Sequence, residues 1–431
     1  MSVLVEMGKK ARSAGRLMSL ATSDQKNAML IRLADLLSSP PVEVLEANAE
    51  DIAQAERDRA DPALVDRLRL NPQRLAGIAA DLRSVAELPD PVGEIFEEKI
   101  LPNGLRVHKQ RVPIGVLGVI YESRPNVTID VSGLAVKTGN AVILRGGSES
   151  LRSNRALVRL VHRALMENEL PEEAVQFIDD PQRGLVMELL QMHESIDMLI
   201  PRGGAALHTF CRENSRIPVI TGGIGICHLF VDASADQEAA LEVIYNAKVQ
   251  RPTVCNALDT TLVHAAIAED FILRLIEHLG PAGVSFRIDP SGIEAGLLKG
   301  GTVENSSSEF LPTRVSLAGP QDFDTEWLSL VLGIKVVADL DAAVAHIQAH
   351  STGHSDGILT QDRANADRFI QLIDSAAVYV NASTRFTDGA QLGLGAEVAI
   401  STQKLQARGP MGLRELTTYK WVIQGDYHVR P

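Results

Sequence analysis

Ile114-Gly-Val-Leu-Gly-Val-Ile-Tyr121, residues 127–137 and Ala141-Val-Ile-Leu144 make one block that reads as strand, helix, strand. Neither apolar run alternates with polar residues, as expected of parallel strands buried on both faces. Outward from this block the succession continues. A helix is expected at 151–167, then strands at 196–200 and 217–220 around a helix at 205–212. A second series follows, with strands at 228–232, 260–264, 335–338, 357–360 and 378–381 and helices at 237–248, 267–279, 340–350 and 364–373. Strands alternating with helices in this way mark doubly wound parallel sheets. The chain is therefore expected to be α/β, with two such domains.

The flanks differ in character. Residues 2–86 read as helical, with Leu30, Leu33, Ala34 and Leu37 repeating at three and four residues before Pro40-Pro41 ends that run. Residues 94–110 read as a hairpin, because Asn103-Gly104 is a strong turn signal. Residues 292–311, with Gly300-Gly301 and Ser306 to Ser308, show no period and read as a loop. The tail Leu416-Thr-Thr-Tyr-Lys-Trp-Val-Ile423 is apolar and strand-prone. An exposed terminal strand is a pairing liability, so it is expected to join another sheet, in a neighbouring subunit.

At 431 residues the chain is long enough for two or three domains with full cores. Three cysteines, Cys211, Cys227 and Cys255, are too few and too widely spaced for a disulfide framework, which makes a reducing cytoplasm the expected compartment. No apolar run reaches the ~18 residues of a membrane span. With 42 Lys and Arg against 55 Asp and Glu, the net charge of −13 opposes binding to nucleic acid or anionic lipid. Aromatic content of 4% is too sparse for base-stacking platforms.

Cys255 is the candidate nucleophile. It stands in Asn246-Ala-Lys-Val-Gln-Arg-Pro-Thr-Val-Cys-Asn-Ala257, a polar and basic stretch in which Lys248 and Arg251 would favour the reactive thiolate. The alternative is a small buried cysteine. Neither Gly-x-Gly-x-x-Gly nor the P-loop pattern occurs, but Arg145-Gly-Gly-Ser-Glu-Ser150 and Pro201-Arg-Gly-Gly-Ala-Ala-Leu207 each join a strand to a helix. Such turns either accept phosphate on free helix amides or are simply tight connections. On the first reading Arg145 and Ser148 would hold the adenosine side of a dinucleotide, and Gly203 and Gly204 would face its pyrophosphate. Eleven scattered histidines offer no ligand spacing, so no metal is expected, and the serine-hydrolase elbow is missing.

Four stretches share one further pattern: Val249-Gln-Arg-Pro-Thr-Val-Cys-Asn-Ala-Leu-Asp259, Tyr121-Glu-Ser-Arg-Pro-Asn-Val-Thr128, Lys137-Thr-Gly-Asn-Ala-Val-Ile-Leu-Arg-Gly-Gly-Ser-Glu149 and Val380-Asn-Ala-Ser-Thr-Arg-Phe-Thr-Asp-Gly389. With residues 393–413 they closely resemble the γ-glutamyl phosphate reductases, the proline-biosynthesis branch of the aldehyde dehydrogenase superfamily. The resemblance implies an NADP(H)-binding domain at 1–226, with the hairpin excursion at about 94–112, and a catalytic domain at 227–380. Residues 381–431 would return to the cofactor domain and end in an oligomerisation strand, giving a small β flap and a homo-oligomer, dimer or tetramer. It implies Cys255 as nucleophile, Asn126 as oxyanion donor and Glu326 as the carboxylate that holds the nicotinamide ribose. The implied reaction is NADPH-dependent reduction of L-glutamate 5-phosphate to L-glutamate 5-semialdehyde, with a functional association with glutamate 5-kinase. Arg145 would favour the 2′-phosphate of NADPH. Arg124, Ser383, Thr384 and Arg385 are candidates for gripping the substrate's phosphate or α-carboxylate. One departure matters: where ordinary aldehyde dehydrogenases carry a water-activating glutamate before a Gly-Gly pair, this chain has Thr221. The loss suits a thioester that must be reduced or phosphorolysed rather than hydrolysed.

Overall fold

The computed structural model describes residues 3–39, 42–222, 224–289 and 315–430. Pro40-Pro41 and the expected loop at 292–311 lie outside them. Contacts divide the chain into two compact units, one of residues 1–221, 393–399 and 411–431, the other of residues 222–392 and 400–410.

The first unit opens with helices α1 (Val3–Met18), α2 (Ser23–Ser38), α3 (Val42–Arg57), α4 (Pro62–Leu68) and α5 (Pro72–Glu87). Thr22 caps α2 in a capping box with Gln25, and Asn71 caps α5 ahead of Pro72, so both starts are set by local sequence. Strands β1 (Ile95–Ile100) and β2 (Arg106–Pro113) form the expected hairpin, whose turn places Gly104 at φ +91°. Then come β3 (Val116–Tyr121), α6 (Asn126–Lys137), β4 (Ala141–Arg145), α7 (Leu151–Glu167), β5 (Val175–Phe177), α8 (Gly184–Leu190), β6 (Met198–Arg202) and α9 (Ala205–Asn214). Their sheet is parallel in the order β5-β4-β3-β6, so the chain reverses direction across the sheet between β3 and β6. The strand expected at 217–220 is reduced to a bridge between Val219 and Leu199. Pro218 has no N–H to donate to a longer ladder.

In the second unit β7 (Cys227–Val231), α10 (Gln237–Val249), β8 (Leu258–His264), α11 (Ala268–Leu279), β9 (Ser285–Ile288), β10 (Val315–Leu317), β11 (Val331–Val337), α12 (Leu340–His350), β12 (Ser355–Leu359), α13 (Arg363–Leu372) and β13 (Ala377–Val380) build a second parallel sheet, ordered β10-β9-β11-β8-β7-β12-β13. Adjacent residues face opposite cores. Leu229 and Val231 pack with α10 and α11, while Phe230 between them packs with α12 and α13. Burial on both faces is why these strands read as unbroken apolar runs.

The chain then passes through β14 (Ala399–Ser401) and β15 (Gly409–Met411) to β16 (Thr417–Gln424). This terminal strand pairs along its length with β2 of its own chain and completes a three-stranded antiparallel sheet. Residues 381–392 stay with the second unit rather than returning, because Thr384 and Asn256 bind the loop after β13 to the turn before β8. Among the described residues no helix is long and apolar enough to cross a membrane, and no group of His, Cys, Asp or Glu is arranged to hold a metal.

One packing detail sets a pH dependence. His346 on α12 is buried edge-on to His228 and Phe323, with ring centroids at 5.5 and 5.2 Å, and burial lowers its pKa to about 3. A depressed histidine contributes stability above its unfolded pKa of 6.5 that is lost as pH falls towards 3. Between pH 7.5 and 5 wild type should therefore lose about 2 kcal/mol more than His346→Gln, a difference read from thermal melts. Equal losses in both proteins would refute it.

Candidate functional site

Cys255 lies in the turn between α10 and β8, half-buried and in no disulfide. Three successive carbonyls of that turn are each taken. Val254 O accepts the Ala257 N–H at 3.0 Å, Cys255 O accepts the Cys227 thiol at 3.2 Å, and Asn256 O accepts the Thr384 hydroxyl at 2.7 Å. The two peptide planes flanking Cys255 are thereby fixed, and with them the direction of its side chain.

Gly225 is buried against the same turn. A Cβ there would stand 1.5 Å from Cys255 O. The Gly225 N–H donates to Glu326 Oε1 at 2.9 Å, so a single glycine links Glu326 to the cysteine turn. Glu326 sits on the irregular stretch before β11, not on a helix, and burial pushes its carboxyl up.

The charge around the thiol differs from the expectation. Lys248 points inward, fully buried, with Nζ 2.8 Å from Leu258 O and 3.5 Å from Asp259 Oδ1; burial lowers it and pushes Asp259 up to about 6. Arg385 takes its place. Its guanidinium donates to Gln250 Oε1 at 2.9 Å and to Asn256 Oδ1, and its pKa is lowered by burial and by Arg251 but raised by Asp388 and Cys255. Arg385, by the turn, thus stands in the field of Arg251. Ser383 and Thr384 are buried structural hydroxyls. Ser383 Oγ accepts the Arg385 N–H at 3.3 Å and Thr384 holds Asn256 O, so neither presents its oxygen to a ligand in this conformation.

In the first unit Asn126 opens α6, and its Nδ2 donates to Asp130 Oδ2 at 2.8 Å. Burial pushes Asp130 up to about 6, against the Asn126 hydrogen bond. The start of α6 is held by Tyr121 OH, 2.7 Å from Thr128 Oγ1, which in turn donates to Asn154 Oδ1 at 3.0 Å. Arg124 lies exposed just before it.

The two glycine turns follow β4 and β6. In the second, Gly204 N–H donates to Glu122 Oε2 at 3.2 Å, and a Cβ on Gly203 would stand 2.3 Å from the same oxygen. In the first, Glu149 Oε1 accepts the Ser123 N–H at 2.6 Å and its hydroxyl at 2.9 Å, while Ser148 is exposed. Loops beyond the carboxyl ends of parallel strands, where chain direction reverses, are where such sheets take nucleotides, and the turns after β3 and β6 flank that point. Arg145 is 7% exposed, its Nη atoms tied to the carbonyls of Gly146 and Pro181. It braces the turn here rather than projecting from it.

Gly225, Cys227, Asp130, Glu122 and Glu149 escaped the sequence reading. Only the Asn126 and Asp130 pair, four apart on a helix, carried a local signal.

The aldehyde dehydrogenase family model matches residues 5–290. The chain is 54% identical over 428 residues to a γ-glutamyl phosphate reductase of Psychromonas ingrahamii, covering 99% of this chain and 100% of that one. It is likewise 54% identical over 432 residues to one of Roseiflexus castenholzii, with complete coverage of both. The crystal structure of a γ-glutamyl phosphate reductase of Thermotoga maritima superposes with a TM-score of 0.94 at 46% identity, over all of both chains.

Proposed function

The chain belongs to the aldehyde dehydrogenase family, and on that premise we propose that it reduces L-glutamate 5-phosphate to L-glutamate 5-semialdehyde and phosphate with NADPH, in proline biosynthesis. The observation that carries this reading is the pinned Cys255 turn with Glu326 attached to it, in a chain alike from end to end to reductases of that name.

The Cys255 thiolate attacks the acyl carbon and phosphate leaves, which yields an enzyme thioester. The Cys255 backbone N–H would stabilise the charge that develops on the acyl oxygen, and the family resemblance assigns the Asn126 amide the same task. Asp130 accepts one N–H of that amide and fixes which way it faces. Arg385 and Arg251 attract the anionic substrate. When bound, the nicotinamide cofactor supplies the hydride that takes the thioester to the aldehyde. Ser148, Gly203 and Gly204, in the turns after β4 and β6, would hold its pyrophosphate and adenosine once Glu122 leaves the Gly204 N–H, and Glu326 would hold the ribose. Ser383 and Thr384 support the substrate loop from behind. Arg124 remains a substrate-facing candidate on exposure alone. A preference for the 2′-phosphate requires Arg145 to release its carbonyl partners. The three-stranded sheet, which exposes Tyr419, Trp421 and Ile423, is the proposed surface for a dimer or tetramer. The protein would act in the cytoplasm, in functional association with glutamate 5-kinase.

Because Thr221 offers no carboxylate to activate water, phosphate should be needed to release the acyl group in the reverse direction. With glutamate semialdehyde, NADP⁺ reduction should rise with phosphate and be negligible without it. Turnover that ignores phosphate would remove the acyl-phosphate reading and favour acid formation.

A further inference from the structure

We propose that Cys227, a thiol outside the reacting atoms, is a positioning residue for Cys255, fixing the peptide plane that follows the nucleophile. The inference rests on the cysteine mechanism proposed above.

Cys227 begins β7 and is fully buried. Its register with β8 is irregular at this residue: Cys227 pairs with Leu258, but His228 already pairs with Thr260, which skips Asp259. Such a bulge locally re-aims side chains. Here the thiol donates to Cys255 O at 3.2 Å.

The consequence is geometric. The Cα–Cβ direction of Cys255 depends on the peptide planes on either side. The plane before it is fixed within the turn by Ala257 N–H on Val254 O, but the plane after it has the Cys227 thiol as donor on Cys255 O. Gly225 covers that carbonyl closely, leaving little room for a replacement donor. Only the protonated thiol can donate. Burial and the carboxylates of Asp259 and Asp356 hold Cys227 well above its ordinary range, so it stays protonated at neutral pH. The ring of His354, kept neutral by burial with its pKa lowered to about 4, lies 4.0 Å from the sulfur and adds no competing charge.

The test compares Cys227→Ala and Cys227→Ser in steady-state kinetics and in the pH dependence of Cys255 alkylation by iodoacetamide. Alanine removes the donor and should lower kcat about tenfold, with KM for acyl phosphate within about twofold, consistent with one hydrogen bond. It should also raise the alkylation midpoint. Serine keeps an O–H donor and should bring both readouts back to within about threefold of wild type. If alanine leaves kcat and the alkylation midpoint unchanged, or serine is no better than alanine, the proposal fails. Should alanine not fold, Cys227→Val, which also lacks the donor, takes its place against serine in both readouts. Cys255→Ser separates the two readings: an active Cys255→Ser enzyme would sink the cysteine mechanism itself, whereas an inactive one beside an unaffected Cys227→Ala would sink only the role of Cys227.

Discussion

Replacing Cys255 by alanine should leave a folded protein that turns over acyl phosphate at least about 10³-fold more slowly than wild type. The nucleophile is the one residue whose removal closes the covalent route, and residual rate then comes from binding and charge stabilisation alone. Folding should survive, because the turn is held through carbonyls that alanine retains: Val254 O by Ala257, Cys255 O by Cys227 and Asn256 O by Thr384. The side chain is only half-buried, so its loss leaves no large cavity. Asn126→Ala should be milder, about 10²-fold in kcat, the usual cost of one oxyanion donor. The ranking is itself the check. Single-turnover formation of semialdehyde in Cys255→Ala at a rate within tenfold of wild type would show that no thioester is needed.

What the sequence made legible depended on how local the cause was. The runs 116–121 and 141–145 are buried on both faces, so their period disappears and a parallel sheet is the natural reading. Asn103-Gly104 announced the hairpin because a turn needs its own residues. The partner of β16 was not announced, since any free edge can accept a strand, and the edge it found was β2 of the same chain. Around Cys255, sequence neighbours misled: Lys248, seven residues away, turns inward to Asp259, while Arg385, 130 residues away, arrives through Asn256. Ser383 and Thr384, read from the sequence as ligand hydroxyls, are buried in the folded chain and bond to the Arg385 N–H and to Asn256 O. Glu122 and Glu149 escaped because their partners, Gly204 and Ser123, are reached only once the βα loops are assembled. Long-range hydrogen bonds leave no period to read.

Gly225→Ala should damage both stability and catalysis, although nothing about its backbone conformation demands glycine. Its φ is not among the left-handed values, so alanine is conformationally allowed and the whole effect must come from contact. The new Cβ would lie 1.5 Å from Cys255 O, 2.5 Å from its carbon and 3.1 Å from its Cα. All three are backbone atoms. A flexible side chain can swing aside from such a clash, but this carbonyl is held by Cys227 and the next by Thr384. The strand or the turn must shift, at a cost of about 3 kcal/mol, the upper end for overpacking. Displacing the nucleophile by about 1 Å costs on the order of 10²-fold in rate. Because the Gly225 N–H also holds Glu326, KM for the cofactor should rise along with the loss in kcat. Gly77→Ala in α5 is the control. Its Cβ meets nothing within 4 Å, and mid-helix alanine should stabilise by about 0.5–1 kcal/mol without touching activity. Melting temperatures and kcat measured on both variants decide the matter: a Gly225→Ala enzyme as stable and as fast as wild type would mean that the turn is free to move, and the pinned nucleophile would lose its physical basis.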